Sequence, residues 1–308
     1  MDDTAARVGW SDAQWSRIAN VVTDEVSKAS IAASMLSCYG TTSPAMDVVR
    51  REQVALQRNP YTLEVSVQDM ASMPMWTLEV QVRLRREQVR DENLASAFLA
   101  FRRAANLLAM VEDAIVLHGG PLPRLPGMRA RDRGPGAALA GRVARPEAGV
   151  VDEALVHAGG ANNVAFAMLG VVQDRVPRPL AADSGDALVR SVHYAVRQLQ
   201  WNDHSGPFAC VLGHDALFAA SEATRQAPAL PLTRIEGILK GPVLRSSCLA
   251  ADLGIVVAAS AEPFDLVVGT PPQFQLLQID APEHYFFRVY ERFVLRIKDP
   301  SAFYTIAL

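Results

Sequence analysis

The chain has 308 residues, a formal net charge of −3 and apolar side chains at 50% of its positions. That length can bury a large core in one complex domain or two smaller ones, and the near-neutral balance argues against a general nucleic-acid binder, which carries a basic excess. Cys38, Cys210 and Cys248 stand far apart with no CxxC pair, so neither a disulfide framework nor a zinc site is indicated and a reducing cytoplasm is expected.

The acidic start, Met1-Asp2-Asp3-Thr4, shows no basic cluster followed by an apolar run, so no secretory leader is expected. One long helix is expected next, capped by Ser11 or Asp12, with Trp15, Ile18, Val22, Ala29, Ala33 and Leu36 at helical spacing. Near its end Ile31, Met35 and Cys38 form a second apolar row, and Gly40 with Thr-Thr-Ser-Pro stops it. A helix apolar on two sides needs a neighbour on each, its own core on one and a partner on the other.

Residues 61–67 and 76–85 alternate, and the turn-like Met73-Pro74 lies between them. The expectation is a long two-stranded arm with little core of its own, and isolated hairpins are marginal in water. The strongest helix spans 91–117, with Phe98, Phe101, Ala105, Leu108, Ala109, Glu112, Ile115 and Val116 in helical period and His118-Gly119-Gly120-Pro121 as its stop.

Residues 121–150 read as a loop with six arginines, Arg124, Arg129, Arg131, Arg133, Arg142 and Arg145. A solvated surface insertion explains them, and an anion-binding or nucleic-acid patch is the alternative, although no aromatics are interleaved. Residues 151–172 are mixed, and the apolar run at 165–172 is too short to cross a bilayer. A helix over 186–200 follows. Beyond it come a buried strand at 208–213, a helix at 214–225, a stiff loop at 226–231, a short helix at 233–239, and strands at 254–259, 264–269 and 285–298. The last strand carries Phe287, Val289, Glu291, Phe293, Leu295 and Ile297 on one face, and Arg288, Tyr290, Arg292, Arg296 and Lys298 on the other. This is an α+β chain with long non-local connections.

Catalytic motifs are absent from the sequence: it has no GxSxG, HExxH, P-loop or GxGxxG element. His118-Gly119-Gly120 is similar to an esterase oxyanion loop but has no nucleophile elbow downstream. His204 with Asp203 and His214 with Asp215 are neighbours in polar turns, where side chains diverge. His157 and His193 show no obvious partner, His284 lies in a polar approach to a strand, and the cysteines read as small core residues. Glu291 on an apolar face needs a cationic or hydrogen-bonding partner, and a structural ion pair is expected for it. No catalytic residue, metal or cofactor is expected.

The order of elements, with Tyr39-Gly40, Glu112-Asp113-Ala114-Ile115, Gly206-Pro207-Phe208-Ala-Cys-Val-Leu, Phe264-Asp-Leu-Val-Val-Gly and the strand from Phe287 through Asp299-Pro300, resembles the encapsulin family of the linocin or bacteriocin-like type. The resemblance covers residues 11–118 and 206–306. It implies the tailed-phage major capsid fold of the Hong Kong 97 type. Its parts would be an N-terminal inner-face helix (1–45), an extended loop (46–90) and the spine helix of a peripheral domain (91–120). An axial domain (121–262) would include the Arg-rich insertion (121–185), and C-terminal strands of the peripheral domain (263–308) would complete it. It further implies a self-assembling icosahedral homo-oligomer in the cytoplasm. Such a cage encloses a cargo enzyme, often a ferritin-like iron oxidase or a dye-decolourising peroxidase, that docks through a short C-terminal targeting peptide. Ile31, Ser34, Met35 and Cys38 then lie where the cargo groove should be. Where many relatives have arginine and aspartate, this chain has Ala33, Ser34 and Ser37, so a more apolar cargo signal is expected. Thr224, Arg225, Gln226, Ala227 and Pro228 fall where the family lines its five-fold pore. No membrane partner is expected. The alternative is a phage capsid protein that packages nucleic acid, supported by the arginine insertion.

Overall fold

The computed structural model describes residues 8–36, 38–41, 48–58, 63–118, 142–143, 151–158, 184–224, 228–260, 263–280 and 284–307. The Arg-rich stretch therefore lies largely outside the described residues, as do Arg225, Gln226, Ala227 and the His118-Gly119-Gly120 loop beyond the backbone of His118.

Helix α1 (Asp12–Ala29) starts on a capping box in which the Ser11 Oγ and the Gln14 side chain each accept from the other's backbone N–H. It buries Ile18, Val22 and Val26. It does not run on as one helix. Ser30 is extended (φ −74°, ψ 121°) and caps a separate short helix, α2 (Ile31–Met35), through its side chain and the Ala33 N–H. The apolar spacing continues across this break because both helices bury a face, which is why periodicity alone does not reveal it.

Strands β2 (Val48–Arg58) and β3 (Leu63–Pro74) pair antiparallel, from Val48 opposite Pro74 to Arg58 opposite Leu63. This corrects the expected arm, which placed the turn at Met73-Pro74 and used residues 76–85 as its second strand. Strand β4 (Trp76–Arg85) instead enters the main sheet, because its alternation buries Leu78, Val80, Val82 and Leu84. A short helix, α3 (Arg86–Arg90), leads to the spine helix, α4 (Ala95–His118).

Among the described residues the main sheet has six strands. Their order is β1 (Cys38–Thr41), β10 (Phe264–Asp280), β11 (His284–Ile297), β4, β6 (Val151–Ala158), β5 (Arg142–Val143). Thus β6, from inside the expected insertion, pairs antiparallel with β4. On β11 the apolar face read from the sequence is buried, while the opposite face carries ion pairs. Arg288 meets Glu79 at 3.0 Å, and Asp265 takes both Arg296 and Lys298, at 2.7 and 2.9 Å. The helices α1 and α4 cover the buried face through an aromatic cluster. Trp10 stacks on Phe287 with centroids 5.2 Å apart, Trp15 stacks on Phe274 at the same distance, and Phe101 meets Phe287 edge-on. Trp10 also donates its indole N–H to the Val89 carbonyl (2.8 Å), tying the entry of α1 to α3.

A second sheet has the order β12 (Phe303–Ala307), β9 (Leu253–Ala258), β7 (Phe208–Leu212), β8 (Val243–Arg245). All five residues of β7 are buried, as a central strand requires. Helices α5 (Ser184–Trp201), α6 (His214–Ser221) and α7 (Pro231–Leu239) pack beside it. Strand β12 crosses the expected boundary at residue 263, leaving the sheet of β11 to pair with β9.

Candidate functional site

Asp113, near the end of α4, reaches across to the start of α2. Its Oδ1 accepts the Ile31 N–H and the Ala32 N–H, each at 2.9 Å. These are first-turn donors with no intrahelical acceptor, so Asp113 caps α2 from a distant part of the chain. Glu112 is hydrogen-bonded to the Ser30 side chain. Cys248 offers its thiol to the Met110 carbonyl at 3.4 Å beside them. Glu291 of β11 faces the same place, and its Oε1 has no hydrogen-bond partner among the described residues. This corrects the expected ion pair, since the charges acting on Glu291 are those of Glu112 and Asp113. Burial pushes the Glu112 carboxyl up to about 8, helped by Asp113, and the Asp113 carboxyl up to about 7 against the pull of its N–H donors. Burial and the two neighbouring carboxyls hold Glu291 well above the ordinary range.

The residues expected to face a cargo separate on α2. Met35 is buried in the chain's own core with Ala32, Ile31 is half-buried against that core, and Ala33 and Ser34 are exposed. The Ser34 hydroxyl donates to the Ser30 carbonyl at 3.0 Å. Cys38 lies in β1, and its side chain is outside the described residues.

Of the expected pore segment, Thr224 is half-buried, Pro228 is exposed, and residues 225–227 are outside the described residues. Thr224 stands where α5, α6 and α7 converge on Gly185. A Cβ at Gly185 would lie 2.7 Å from the Pro231 ring, 2.8 Å from the Ala219 carbonyl oxygen and 3.0 Å from the Thr224 methyl. Arg234 of α7 pairs with Asp186 and holds its carboxyl below the ordinary range, fixing α5 on α7.

His204 does not pair with Asp203, which sits in a turn at φ 68°. Its Nε2 is 3.1 Å from the Ser301 Oγ and 3.6 Å from the Asp299 Oδ2. Asp299 Oδ1 accepts from the Ser301 hydroxyl at 2.6 Å and from its N–H at 2.9 Å, capping the Pro300–Ala302 turn. A hydrolytic triad needs the acid on the far imidazole nitrogen, so these three groups join the end of α5 to β12 rather than forming a triad. Sequence reading missed the contact because 97 positions separate His204 from Ser301. His193 lines an open groove of about 340 Å³ with Arg190, Tyr194, Arg197, Val189 and Ile238. His214 is exposed at the start of α6. Among the described residues no three His, Cys, Asp or Glu side chains are grouped to hold a metal, and no helix is long and apolar enough to cross a membrane.

Two packed sheets, a spine helix and a projecting two-stranded arm define a class that comparison with solved structures identifies. The chain aligns over 95% of its length with 99% of a virus-like particle protein from Pyrococcus furiosus, at TM-score 0.64 and 14% identity. It aligns over 91% of its length with 86% of a protein of Gordonia phage Cozz, at TM-score 0.57 and 12% identity. The capsid protein of Myoviridae phage XM1 matches at TM-score 0.51 and 12% identity, over 89% of this chain and 88% of that one. The fold is that of tailed-phage major capsid proteins.

Sequence comparison narrows the class. The family model described as "Encapsulating protein for peroxidase" matches residues 160–294. The type 1 encapsulin shell protein EncA of Myxococcus xanthus (strain DK1622) is 30% identical over 112 residues, 36% of this chain. That match spans 39% of the relative's own length. The resemblance read from the sequence is thus met by a family model and a shell-protein relative, each over less than half of this chain, and over those residues the chain is similar to the encapsulin family.

Proposed function

We propose that this chain is the shell subunit of an encapsulin-type compartment in the cytoplasm, many copies closing into an icosahedral cage around a cargo enzyme. The observation that carries the reading is the β2–β3 arm. Among the described side chains of the arm only Val49 and Met73 are buried, against Met75, Val267 and Val294. Val65 and Val67 are 64% and 65% exposed, and Val48, Val54 and Met70 are exposed as well. A long hairpin of that kind is marginal by itself and places apolar surface in water. Laid over neighbouring copies it gains the burial it lacks, and contacts modest singly are repeated at every subunit of a closed symmetric shell. The shell-protein relative and the family model support the same reading.

On this reading the exposed Ala33–Ser34 edge of α2, with half-buried Ile31, receives the cargo's targeting peptide. Its low charge favours an apolar signal. Met35 acts from beneath, as a core residue that holds α2 in place, and Cys38 follows at the start of β1. A disordered tail pays to order itself on docking, so single-site affinity is modest and several tails on one oligomeric cargo supply the rest. The 224–228 loop lines the five-fold opening, where Arg225 favours anions. The β2–β3 arm serves as the extended loop, the main sheet with the spine helix as the peripheral region, and the second sheet as the axial region.

The test is to express the chain alone and image it. Regular closed particles free of nucleic acid support the cage. Particles that form only around DNA point to a phage capsid protein. A monomer that stays monomeric at high concentration overturns both. For cargo, replacing Ser34 with arginine is expected to cut co-purified cargo several-fold while leaving particles intact, and unchanged recovery removes α2 from the docking site.

A further inference from the structure

Glu112 and Asp113 are each 3% exposed and Glu291 is 4% exposed, and the three meet where α4, α2 and β11 join. Each element packed there brings little to compensate their charge. Helix α2 has no ionisable side chain. On β11 the same face gives Val289 and Phe293, both buried, whereas Arg288 serves Glu79 on the other face. Strand β4 sets Leu78 opposite Glu291. Helix α1 brings Ile18, Val22 and Val26 to the core, and its Glu25 is engaged higher on α4 by Asn106. The loop before β9 brings Cys248, whose thiol burial pushes up to about 12. The side chains of β6 are outside the described residues. Among the described residues, no lysine, arginine or histidine acts to hold any of the three carboxyls charged.

A carboxylate taken out of water without a cation costs several kcal/mol, and the group keeps its proton instead. Asp113, with two backbone N–H donors on it, is the member best suited to carry charge. A second charge on Glu112 or Glu291 would stand beside the first in an apolar surround.

We propose that Glu112, Asp113 and Glu291 form a proton-operated latch, which holds the Ser30–Met35 segment on the end of α4 while Glu112 and Glu291 keep their protons and lets it go when they are removed. The sign follows from the raised carboxyls. The attached state holds protons that a solvated carboxyl loses near pH 4–5. Attachment is therefore strongest in acid and weakens as pH rises from the solvated carboxyl range, the loss through Asp113 and Glu112 being complete once they ionise near 7 and 8.

Amide hydrogen exchange on the full chain, in whatever assembly it adopts, tests this at pH 6 and 9.5 with rates corrected for intrinsic base catalysis. Protection at residues 31–36 is expected to fall by about tenfold or more, the equivalent of one unit of pKa difference. Protection in β7 and β9 should hold. In Glu291→Gln the fall should be absent or displaced to higher pH. Unchanged protection at 31–36, an equal fall in β7 and β9, or a Glu291→Gln profile that matches the parent overturns the latch. If Glu291→Gln does not fold, Glu112→Gln is read in its place, and the parent comparison alone can already refute the proposal.

Discussion

Asp113 is asked for two opposing things. Capping α2 favours its carboxylate, and burial beside Glu112 favours its acid form. Its replacement separates the two demands. Asp113→Ala leaves the Ile31 and Ala32 N–H groups without an acceptor and is expected to cost about 2 kcal/mol in a urea titration. Asp113→Asn keeps an oxygen for them, removes the charge, and should cost less than about 1 kcal/mol. The Glu112-Asp113 helix end is among the residues that carry the sequence resemblance, and its work, fixing α2 to α4, could not be read from spacing because the partners lie 81 and 82 positions away. Glu291 was legible as anomalous on an apolar face. Its partners were not, and the ion pair expected for it gave way to a shared burial of acids. Overall stability should accordingly decline from pH 5 to pH 8, by up to about 1.4 kcal/mol per pH unit for each carboxyl that stays protonated only in the folded chain. Urea midpoints across that range check the sign, which is opposite to that of a salt-bridged carboxylate.

At the scale of elements, strands that bury one face were readable and their partners were not. The alternation on β11 is the one expected from Phe287, Val289, Phe293, Leu295 and Ile297. The pairing of β4 with β11 rather than β3 depends on contacts about two hundred positions apart, which local pattern does not encode. The break at Ser30 escaped because the apolar period persists through it. Close approach decides the second sheet. A Cβ at Gly213 would sit 2.1 Å from the Ala250 carbonyl oxygen, and at Gly241 2.3 Å from that of Phe208. Backbone atoms cannot swing aside as a side chain can, so Gly213→Ala is expected to destabilise the chain by about 1–3 kcal/mol or more in thermal unfolding. Gly237, whose Cβ direction is open, should accept alanine at no cost.

For the whole molecule, the two sheets and spine helix form a unit with its own core, to which the arm adds Val49 and Met73 while Val65 and Val67 stay in water. Replacing Val65 and Val67 by threonine should leave circular dichroism and unfolding of the single chain unchanged while reducing the yield of closed particles by severalfold, measured by size-exclusion chromatography and electron microscopy. A loss of folding instead would mean that the arm serves its own subunit.

Strand β1 lies parallel to β10, pairing Cys38 with Leu266, and β4 waits for β11. Strand β1 thus has no sheet partner, and β4 has only β6, until the closing stretch has been translated and has emerged. Contacts so distant in order form slowly, and the nascent protein must shelter its apolar helices meanwhile.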